Sequence, residues 1–306
     1  MTKTMTNEKY HEPVLFNESI EALGIESDAV IVDVTYGGGG HSKEILSRMG
    51  REGVLVAFDQ DEDAQKNVVD DERLIFVDAN FRFLYNFIKF HDVLGVDGLL
   101  ADLGVSSHQF DEAERGFSIR KDAVLDMRMN RGSHLTAYKV VNEYPEKELF
   151  RVFNSFADLK NVKKVVFAIS GHRKRKEIKT TGQLVEILEG LVPHKKQNQF
   201  LAQVFQAIRI EVNDEMGALM DMLEQSIDVI REGGRLVVIA YHSIEDRLVK
   251  NFIKAGNFQG ELITDVFGVA NTPFKAVNKK PLVPTEEEVL RNPRARSAKL
   301  RIASRQ

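Results

Sequence analysis

Apolar and polar positions follow a repeating pattern over the first hundred residues of the chain. Short apolar runs rich in Val, Ile and Leu are separated by amphipathic segments, as in successive βαβ units. We read the apolar runs as four strands, Val30–Val34, Val54–Phe58, Leu74–Val77 and Gly98–Ala101. The pattern predicts an α/β fold with a mainly parallel sheet.

Each of these four runs ends in an aspartate: Asp33, Asp59, Asp78 and Asp102. In an open α/β sheet, the carboxyl ends of the strands form the crevice in which ligands bind. We therefore expect a functional site at this edge of the sheet.

A long insertion separates the fourth strand from the next one. The next strand, Arg235–Ala240, lies too far along the chain for a single crossover. The inserted stretch, residues 110–199, is dominated by helical patterns, at Pro145–Phe156, Val162–Ile169 and Thr181–Leu191. We expect one domain from residues 1–109 and 200–306, and a second, helical domain from the insert.

The chain is expected to return from the insert to the sheet through a long helical segment. This segment, Phe200–Ile230, would stop at Gly233 and Gly234, because glycine commonly ends helices. The final strand is predicted at Ala298–Ala303.

Composition places the chain among ordinary globular proteins. Its 306 residues are 43% hydrophobic and 29% charged, enough for one large domain and a smaller one. No apolar run approaches the roughly 18 residues that span a bilayer. Met1–Asn7 is polar and lacks the apolar stretch of a signal peptide. We expect a cytoplasmic protein with no membrane partner.

The charge is unevenly distributed. The formal net charge is only −4, but residues 275–306 carry nine Lys or Arg against three Glu. A second basic run, His172–Lys176, lies in the insert. Such runs are either solvated faces or phosphate contacts, and both interpretations remain open here.

The segment Asp33–Ser42 leads from a strand through four consecutive glycines into a helix. Glycines without a Cβ let a ligand approach the backbone. The segment differs at one position from the G-x-G-x-x-G fingerprint of dinucleotide-binding loops, because Ser42 occupies the position of the third glycine. A methyl donor needs only such a loop and a carboxylate for its ribose, which Asp59 can supply. The sequence therefore favours S-adenosyl-L-methionine as the cofactor, with NAD as the second candidate.

Two further strand ends carry candidate chemistry. Asp102 is placed to serve the cofactor, a target amine, or both. Tyr241 and His242 should face the crevice, while Ser243 and Asp246 have the spacing of a helix capping box. The chain has no cysteine, which excludes thiolate metal sites and the nucleophile usual in C5 methylation of pyrimidines. The methyl acceptor should be nitrogen or oxygen, and no metal is expected.

These residues belong to a series of motifs that resembles one family over nearly the whole chain. The matching segments are His11–Leu15, Gly37–Ser42, Asp102–Ser107 with Gln109, Glu114–Ser118, Leu125–Met129, Phe205–Ile210, His242–Arg247 and Asn292–Ser297. The chain thereby resembles the bacterial MraW/RsmH methyltransferases, which modify N4 of a cytidine in the decoding centre of 16S ribosomal RNA.

The resemblance implies a class I methyltransferase fold and a role for particular residues. The cofactor-binding residues are expected to be Gly39, Gly40, His41, Asp59, Phe81, Asp102 and Gln109. Asp59 should bind the ribose and Phe81 should lie near the adenine. The insert resembles the substrate-recognition domain of the family, although Phe156–Leu159 departs from the usual sequence there.

The catalytic role falls to Asp102, which would accept a hydrogen bond or a proton from N4. Residues expected to contact substrate RNA are Tyr241, His242, Ser243, Arg247, Arg294 and Arg296. Arg115 and Arg128 are candidates to pair with strand-end carboxylates, while Phe117, Met127 and Met129 are better explained as core.

Two other functions compete with this interpretation. The βαβ start is shared with NAD-dependent oxidoreductases, and the basic tail is compatible with an inactive RNA-binding assembly factor. The expected partner is 16S ribosomal RNA within the small ribosomal subunit, although naked RNA is an alternative.

Overall fold

The computed structural model describes residues 13–306, apart from residues 266, 269 and 271. The polar segment Met1–Asn7 and the motif residues His11 and Glu12 lie outside the described residues. The strands are β1 Val30–Asp33, β2 Val54–Asp59, β3 Leu74–Asp78, β4 Val96–Asp102, β5 Ile230–Ala240, β6 Phe274–Ala276 and β7 Lys299–Arg305. The helices are α1 Phe16–Leu23, α2 Gly40–Arg48, α3 Leu84–Phe90, α4 Ser107–Asp111, α5 Ala137–Glu143, α6 Glu146–Phe156, α7 Val162–Arg173, α8 Thr181–Leu188, α9 Gln197–Asn213, α10 Glu215–Val229, α11 Ser243–Ala255 and α12 Glu286–Arg291.

The strands form one sheet in the order β3-β2-β1-β4-β5-β7-β6. Strands β1 to β5 pair in parallel with one another, and β7 lies antiparallel between β5 and β6. The predicted α/β class with a mainly parallel sheet is confirmed. The order reverses between β1 and β4, where a ligand crevice is expected in such a sheet.

Alternate residues of the central strands enter two cores, one on each face of the sheet. Val32 of β1 and Leu99 of β4 pack on one face with residues of α10 and α11. Ile31 and Leu100 pack on the other face with residues of α1 and α2. Because both faces of these central strands are covered, a ligand can approach them at their ends, and the aspartates lie at the carboxyl ends.

The inserted helices have a hydrophobic core of their own. It contains buried residues of α5 to α8, together with Phe117, Met127 and Met129, whose assignment to the core is confirmed. The α9 helix also contributes to this core, for example through Phe205 and Ile208. The insert is thereby fixed to the strand-end edge through α9.

The long segment predicted at Phe200–Ile230 is interrupted. Asp214 adopts a left-handed conformation with φ of 46° and separates α9 from α10. The predicted stop at Gly233 and Gly234 is wrong, because α10 ends at Val229 and both glycines lie within β5. Buried Ile230 already pairs with Val96 of β4, so the strand begins before the glycines.

Candidate active site

The glycine loop is held in place by the buried carboxylate of Asp33. Asp33 accepts hydrogen bonds from the Ser42 hydroxyl at 2.7 Å and the Thr35 backbone N–H at 3.0 Å. Burial raises the pKa of Asp33, against these hydrogen bonds, which lower it. Ser42 is therefore committed to the loop, at the position where a dinucleotide fingerprint requires glycine.

Gly39 and Gly40 form the tight entrance to α2. Gly39 has φ of +75°, and a Cβ there would lie 2.8 Å from the Tyr36 hydroxyl oxygen. A Cβ on Gly40 would lie 2.6 Å from Cγ of Pro13. Both glycines are thus required by close packing within the protein, and larger residues at either position would strain the loop as well as disturb a ligand.

Asp59 links the end of β2 to the glycine loop. Its Oδ2 accepts the Gly37 N–H at 2.8 Å, and its Oδ1 accepts the Asp61 N–H at 2.9 Å. Burial raises the pKa of Asp59 to about 6, although the two N–H groups lower it. Each carboxylate oxygen keeps a further lone pair for a ligand hydroxyl.

Asp102 ends β4 and is held by two neighbouring strands. Its backbone N–H donates to the Thr35 hydroxyl at 2.7 Å, and its Oδ1 accepts the Tyr241 hydroxyl at 2.7 Å. Burial raises the pKa of Asp102 to about 7, and the Tyr241 hydrogen bond opposes that rise. Burial and Asp102 together raise the pKa of Tyr241 well above its usual value, so Tyr241 stays a donor.

His41 lies against Asp102 in the first turn of α2. Its Nδ1 is 3.9 Å from Oδ2 of Asp102, and its side chain is 6% exposed. Burial lowers the pKa of His41 to about 4, so the ring is neutral at pH 7. Its buried Nε2 has no hydrogen-bond partner among the described residues. This nitrogen is available to a bound molecule.

A cavity of about 40 Å³ lies beside the ends of β1, β2 and β4. Phe81 lines it together with Gln60 and Asn80, whose amides are joined by a 2.9 Å hydrogen bond. Met129 of the insert and Met216 of α10 close it from the other side. The structure thus places Phe81 at the strand-end crevice, in a narrow and mainly apolar space.

Gln109 and Arg115 meet at Asp61, which is 3% exposed. The Gln109 amide donates to Asp61 at 2.6 Å, and Arg115 lies 2.8 Å from the same carboxylate. Gln109 also forms a capping box with Ser106 at α4. Gln109 therefore acts on the crevice through Asp61, and it is not among the residues that line the cavity.

The prediction that Arg115 pairs with the strand-end carboxylates is wrong, because its partners are Asp61 and Asp63, at 2.8 and 3.1 Å, which lie beyond the end of β2 at Asp59. The same prediction for Arg128 is also wrong. Arg128 pairs with Asp126 at 2.7 Å inside the insert, because the two side chains are only two residues apart in one turn.

The capping residue of α11 is His242. The predicted pair of Ser243 and Asp246 is wrong, because His242 and Glu245 form the box and Ser243 is the first helical residue. Asp246 instead pairs with Lys299 and Arg301 of β7.

Glu245 accepts the backbone N–H of Tyr241 at 2.9 Å. Burial raises the pKa of Glu245, but His242 and Arg209 outweigh it, so the pKa lies below its usual value. Its carboxylate therefore fixes the turn that carries Tyr241 to Asp102.

Glu215, His242 and Glu245 bring their ligand atoms within 4.8 Å of one another. This grouping has the residue types of a cation site. However, Arg209 binds Glu215 with two hydrogen bonds of 2.8 and 2.9 Å, so that carboxylate is already neutralised by a buried guanidinium. The group is explained as an internal ion-pair network between α9, α10 and α11.

The residues expected to contact RNA divide into two groups. Tyr241, His242, Ser243 and Arg296 line one groove beside the strand ends. Arg294 lies elsewhere, paired with Asp111 at 2.6 Å and stacked over Phe110 at 5.4 Å. Arg247 is exposed on α11 and is not a lining residue of that groove.

One residue of the basic run His172–Lys176, Arg173, stabilises the fold of the insert. The Arg173 guanidinium donates to the carbonyl oxygens of Val141 and Tyr144 at 2.8 and 2.7 Å. Lys174 lies 3.3 Å from Glu146, while Arg175 and Lys176 are exposed. Arg173 therefore joins α5 to α7, and only the last two residues of the run present free charge to solvent.

Several site residues were not predicted. Thr35 lies within the glycine loop and Gln60 directly follows Asp59. Their positions beside predicted site residues were the signal that could have identified them. Glu245 and Gln206 lie within motifs of the family resemblance, yet neither received a role. Thr35 and Gln206 contact residues far along the chain, Asp102 and Phe156, which a local pattern does not specify.

Comparisons with known proteins agree with the resemblance found in the sequence. A model of the MraW methylase family matches residues 8–306. The ribosomal RNA small subunit methyltransferase H of Parabacteroides distasonis is 55% identical, over 97% of this chain and 97% of its own length. The enzyme of that name from Flavobacterium johnsoniae is 54% identical over 100% of both chains.

Among solved structures, an rRNA methylase from Streptococcus thermophilus is similar with a TM-score of 0.42 and 11% identity. The match covers 97% of this chain and 99% of that one. The family match and the sheet order together confirm the class I methyltransferase fold. No helix among the described residues combines the length and apolar character needed to cross a membrane.

Proposed function

This chain belongs to the MraW methylase family, and from that premise we propose a specific reaction. The protein transfers a methyl group from S-adenosyl-L-methionine to N4 of a cytidine in the decoding centre of 16S ribosomal RNA. The observation that carries the proposal is the Asp102 carboxylate, held by Tyr241 at 2.7 Å beside the glycine loop. This arrangement supports a role for Asp102 as the proton acceptor at the strand-end crevice, where cofactor and target amine would meet.

The residues around the glycine loop fit S-adenosyl-L-methionine. The buried, unpartnered Nε2 of His41 is available to a polar group of the amino acid part. The free lone pairs of Asp59 suit the ribose hydroxyls, and Phe81 provides an apolar wall for the adenine. The bound cofactor supplies an electrophilic methyl group on a positively charged sulfur.

The space beside Phe81 must widen to accept an adenine. Its volume of about 40 Å³ is far below the roughly 300 Å³ or more of small-molecule sites. Met129 and Met216 bound this space, and methionine side chains are unbranched and flexible. We expect rotation of these two side chains to open the cavity.

Asp102 activates the target amine. The lone pair of cytidine N4 is delocalised into the ring, so N4 is a weak nucleophile that must be aligned with the methyl group. The Asp102 carboxylate accepts a hydrogen bond from N4 and takes its proton as the new N–C bond forms. A pKa of about 7 suits this role, because a general base works best when its pKa lies near the working pH.

Tyr241 positions the carboxylate for this step. Its pKa lies far above neutrality, so its hydroxyl remains a hydrogen-bond donor throughout. It occupies Oδ1 of Asp102 and leaves Oδ2 toward His41, which is neutral and does not form a strong ion pair with it. Oδ2 is the atom we assign to the N4 proton.

The RNA-binding surface comprises the helical domain of residues 110–199 and the nearby basic and polar residues. We assign Tyr241, His242, Ser243, Arg247 and Arg296 to RNA contact. Arg294, which pairs with Asp111 of α4, positions the insert instead. The substrate is the small ribosomal subunit in the cytoplasm, and residues 1–109 and 200–306 form the catalytic domain.

Labelled methyl transfer tests this proposal. Small ribosomal subunits that lack the modification are incubated with the protein and methyl-labelled S-adenosyl-L-methionine, then digested to nucleosides. The label is expected in N4-methylcytidine, with naked 16S ribosomal RNA a poorer substrate. Label in another nucleoside, or none in either substrate, would overturn the proposed function.

A further inference from the structure

A groove of about 390 Å³ lies next to Tyr241 and is distinct from the cavity beside Phe81. Three distant parts of the chain line it: the insert with α9, the β5–α11 junction, and the segment that precedes β7. We propose that this groove binds one single-stranded RNA nucleotide, with its phosphate at Arg296 and an amino-bearing base at Gln203 and Gln206. The inference rests on the proposed function and extends it to a second nucleotide, beside the one whose N4 reaches Asp102.

Gln203 and Gln206 present hydrogen-bond acceptors on one wall. Nε2 of Gln203 donates to the Asp158 carbonyl at 3.0 Å, and Nε2 of Gln206 donates to the Phe156 carbonyl at 3.5 Å. The amide nitrogens therefore point to the backbone of the insert. No described residue donates to the Oε1 atom of either glutamine, so both oxygens remain acceptors for a ligand.

These two acceptors distinguish between bases. Cytosine carries an exocyclic amine, whereas uracil carries a carbonyl oxygen in the corresponding position. An amine donates to a glutamine oxygen, and a carbonyl oxygen is repelled by it. The wall formed by Gln203 and Gln206 therefore favours cytosine over uracil.

Arg296 supplies a positive charge to the lining of the groove. Arg296 is exposed, and no residue in the described part of the chain pairs with it. Lys299, which also lines the groove, is already paired with Asp246 at 3.0 Å. Arg296 is thus the uncompensated cation, and a guanidinium binds phosphate through two parallel hydrogen bonds.

Tyr241 lies between the groove and the catalytic carboxylate of Asp102. It lines the groove, and its hydroxyl binds Asp102 at 2.7 Å. A base beside Tyr241 is therefore separated from the catalytic carboxylate by one side chain. Aromatic rings also provide the stacking surface on which unpaired RNA bases are commonly bound. The volume of the groove falls in the range of small-molecule sites.

The test uses competition binding of two short single-stranded oligoribonucleotides, identical except for a central cytidine or uridine. The wild-type protein should prefer the cytidine oligonucleotide. Gln203→Met and Gln206→Met, separately and together, should reduce this preference by up to roughly tenfold. The salt dependence of oligonucleotide binding should be the same in these glutamine variants as in the wild-type protein. Gln199→Met on the exposed part of α9 is the matched control and should keep the wild-type preference.

Arg296→Gln should have the opposite signature. The logarithmic salt slope should fall by about 0.7, the value for one phosphate of a single strand, while the preference for cytidine persists. Lys89→Gln on α3 is the matched control for lost charge. If the groove had only a structural role, the glutamine variants would not lose base preference alone, and Arg296→Gln would not lose salt dependence alone.

An unchanged cytidine preference in both folded glutamine variants, or an unchanged salt slope in Arg296→Gln, would overturn the inference. Thermal unfolding of each variant identifies any that is misfolded, and the single variants then replace the double one. The proposed function fails separately, if the wild-type protein methylates no ribosomal cytidine while its oligonucleotide preference still depends on the groove.

Discussion

The Tyr241 hydroxyl donates a 2.7 Å hydrogen bond to Oδ1 of Asp102, joining the ends of two neighbouring parallel strands. Asp102 ends β4 and Tyr241 directly follows β5. Burial raises the pKa of the carboxyl group to about 7, and this hydrogen bond limits the rise. This contact between the two strands therefore opposes the effect of burial on the Asp102 carboxyl group.

The rate of methyl transfer should follow the ionisation of Asp102. The carboxylate form is the active one, so the single-turnover rate at saturating cofactor should rise tenfold per pH unit below about pH 7 and level off above it. A rate that is constant between pH 5.5 and roughly pH 8 would contradict the role of Asp102 as a base.

Tyr241→Phe should shift that profile toward alkaline pH. The substitution keeps the ring but removes the hydrogen bond that lowers the pKa of Asp102, so the pKa rises further. The rate at pH 6 should fall more than the rate at pH 9. The same midpoint in wild type and variant would show that Tyr241 does not control this carboxylate.

Cofactor affinity should depend on the ionisation of Asp59. Its pKa is raised to about 6, so protonation below pH 6 removes acceptor capacity and should weaken binding of S-adenosylhomocysteine. Asp59→Asn should weaken binding most at pH 8, where the wild-type carboxyl group is ionised, and should abolish this dependence. Calorimetric titration from pH 5 to pH 8 measures both effects. Asp78→Asn is the matched control, an exposed strand-end aspartate outside the cavity. Equal affinities for Asp59→Asn and wild type would remove Asp59 from the cofactor site.

Arg115 should contribute strongly to stability. It is 2% exposed, pairs with Asp61 and donates to the carbonyl oxygens of Arg128 and Met129. Arg115→Met leaves Asp61 buried without its cation, and the free energy of unfolding should fall by about 3–5 kcal/mol. Arg48→Met removes a surface pair with Glu44 and should cost only about 0.3–0.5 kcal/mol. Denaturant titration that gives equal small losses for both would show that the buried network is dispensable.

The strands and their terminal aspartates were predictable because the evidence for them is local. A run such as Val54–Phe58 is apolar throughout and ends at Asp59, so both the strand and its functional end follow from consecutive residues. The insert was predictable for a similar reason, since the distance from Asp102 to Arg235 exceeds one crossover.

Other features depend on partners that lie far along the chain. The break at Asp214 interrupts a continuous helical pattern. The carboxylates of Asp214 and Asp221 both pair with Arg82, which lies more than 130 residues earlier in the chain. The cap of α11 is an exception with local partners: His242 caps the helix and Glu245 also accepts the Tyr241 N–H, a bond that the Ser243 pattern does not reveal. Gln109 reaches Asp61 across 48 residues, and nothing local specifies that contact.

Single-turnover methyl transfer by Asp102→Asn is the most direct measurement of the central claim. The amide keeps the size of the side chain but cannot accept the N4 proton, so S-adenosylhomocysteine affinity should stay near wild type. The rate at saturating cofactor should fall by about 10²-fold or more. A wild-type rate, or a loss that saturating cofactor restores, would contradict the claim that Asp102 acts on the target amine.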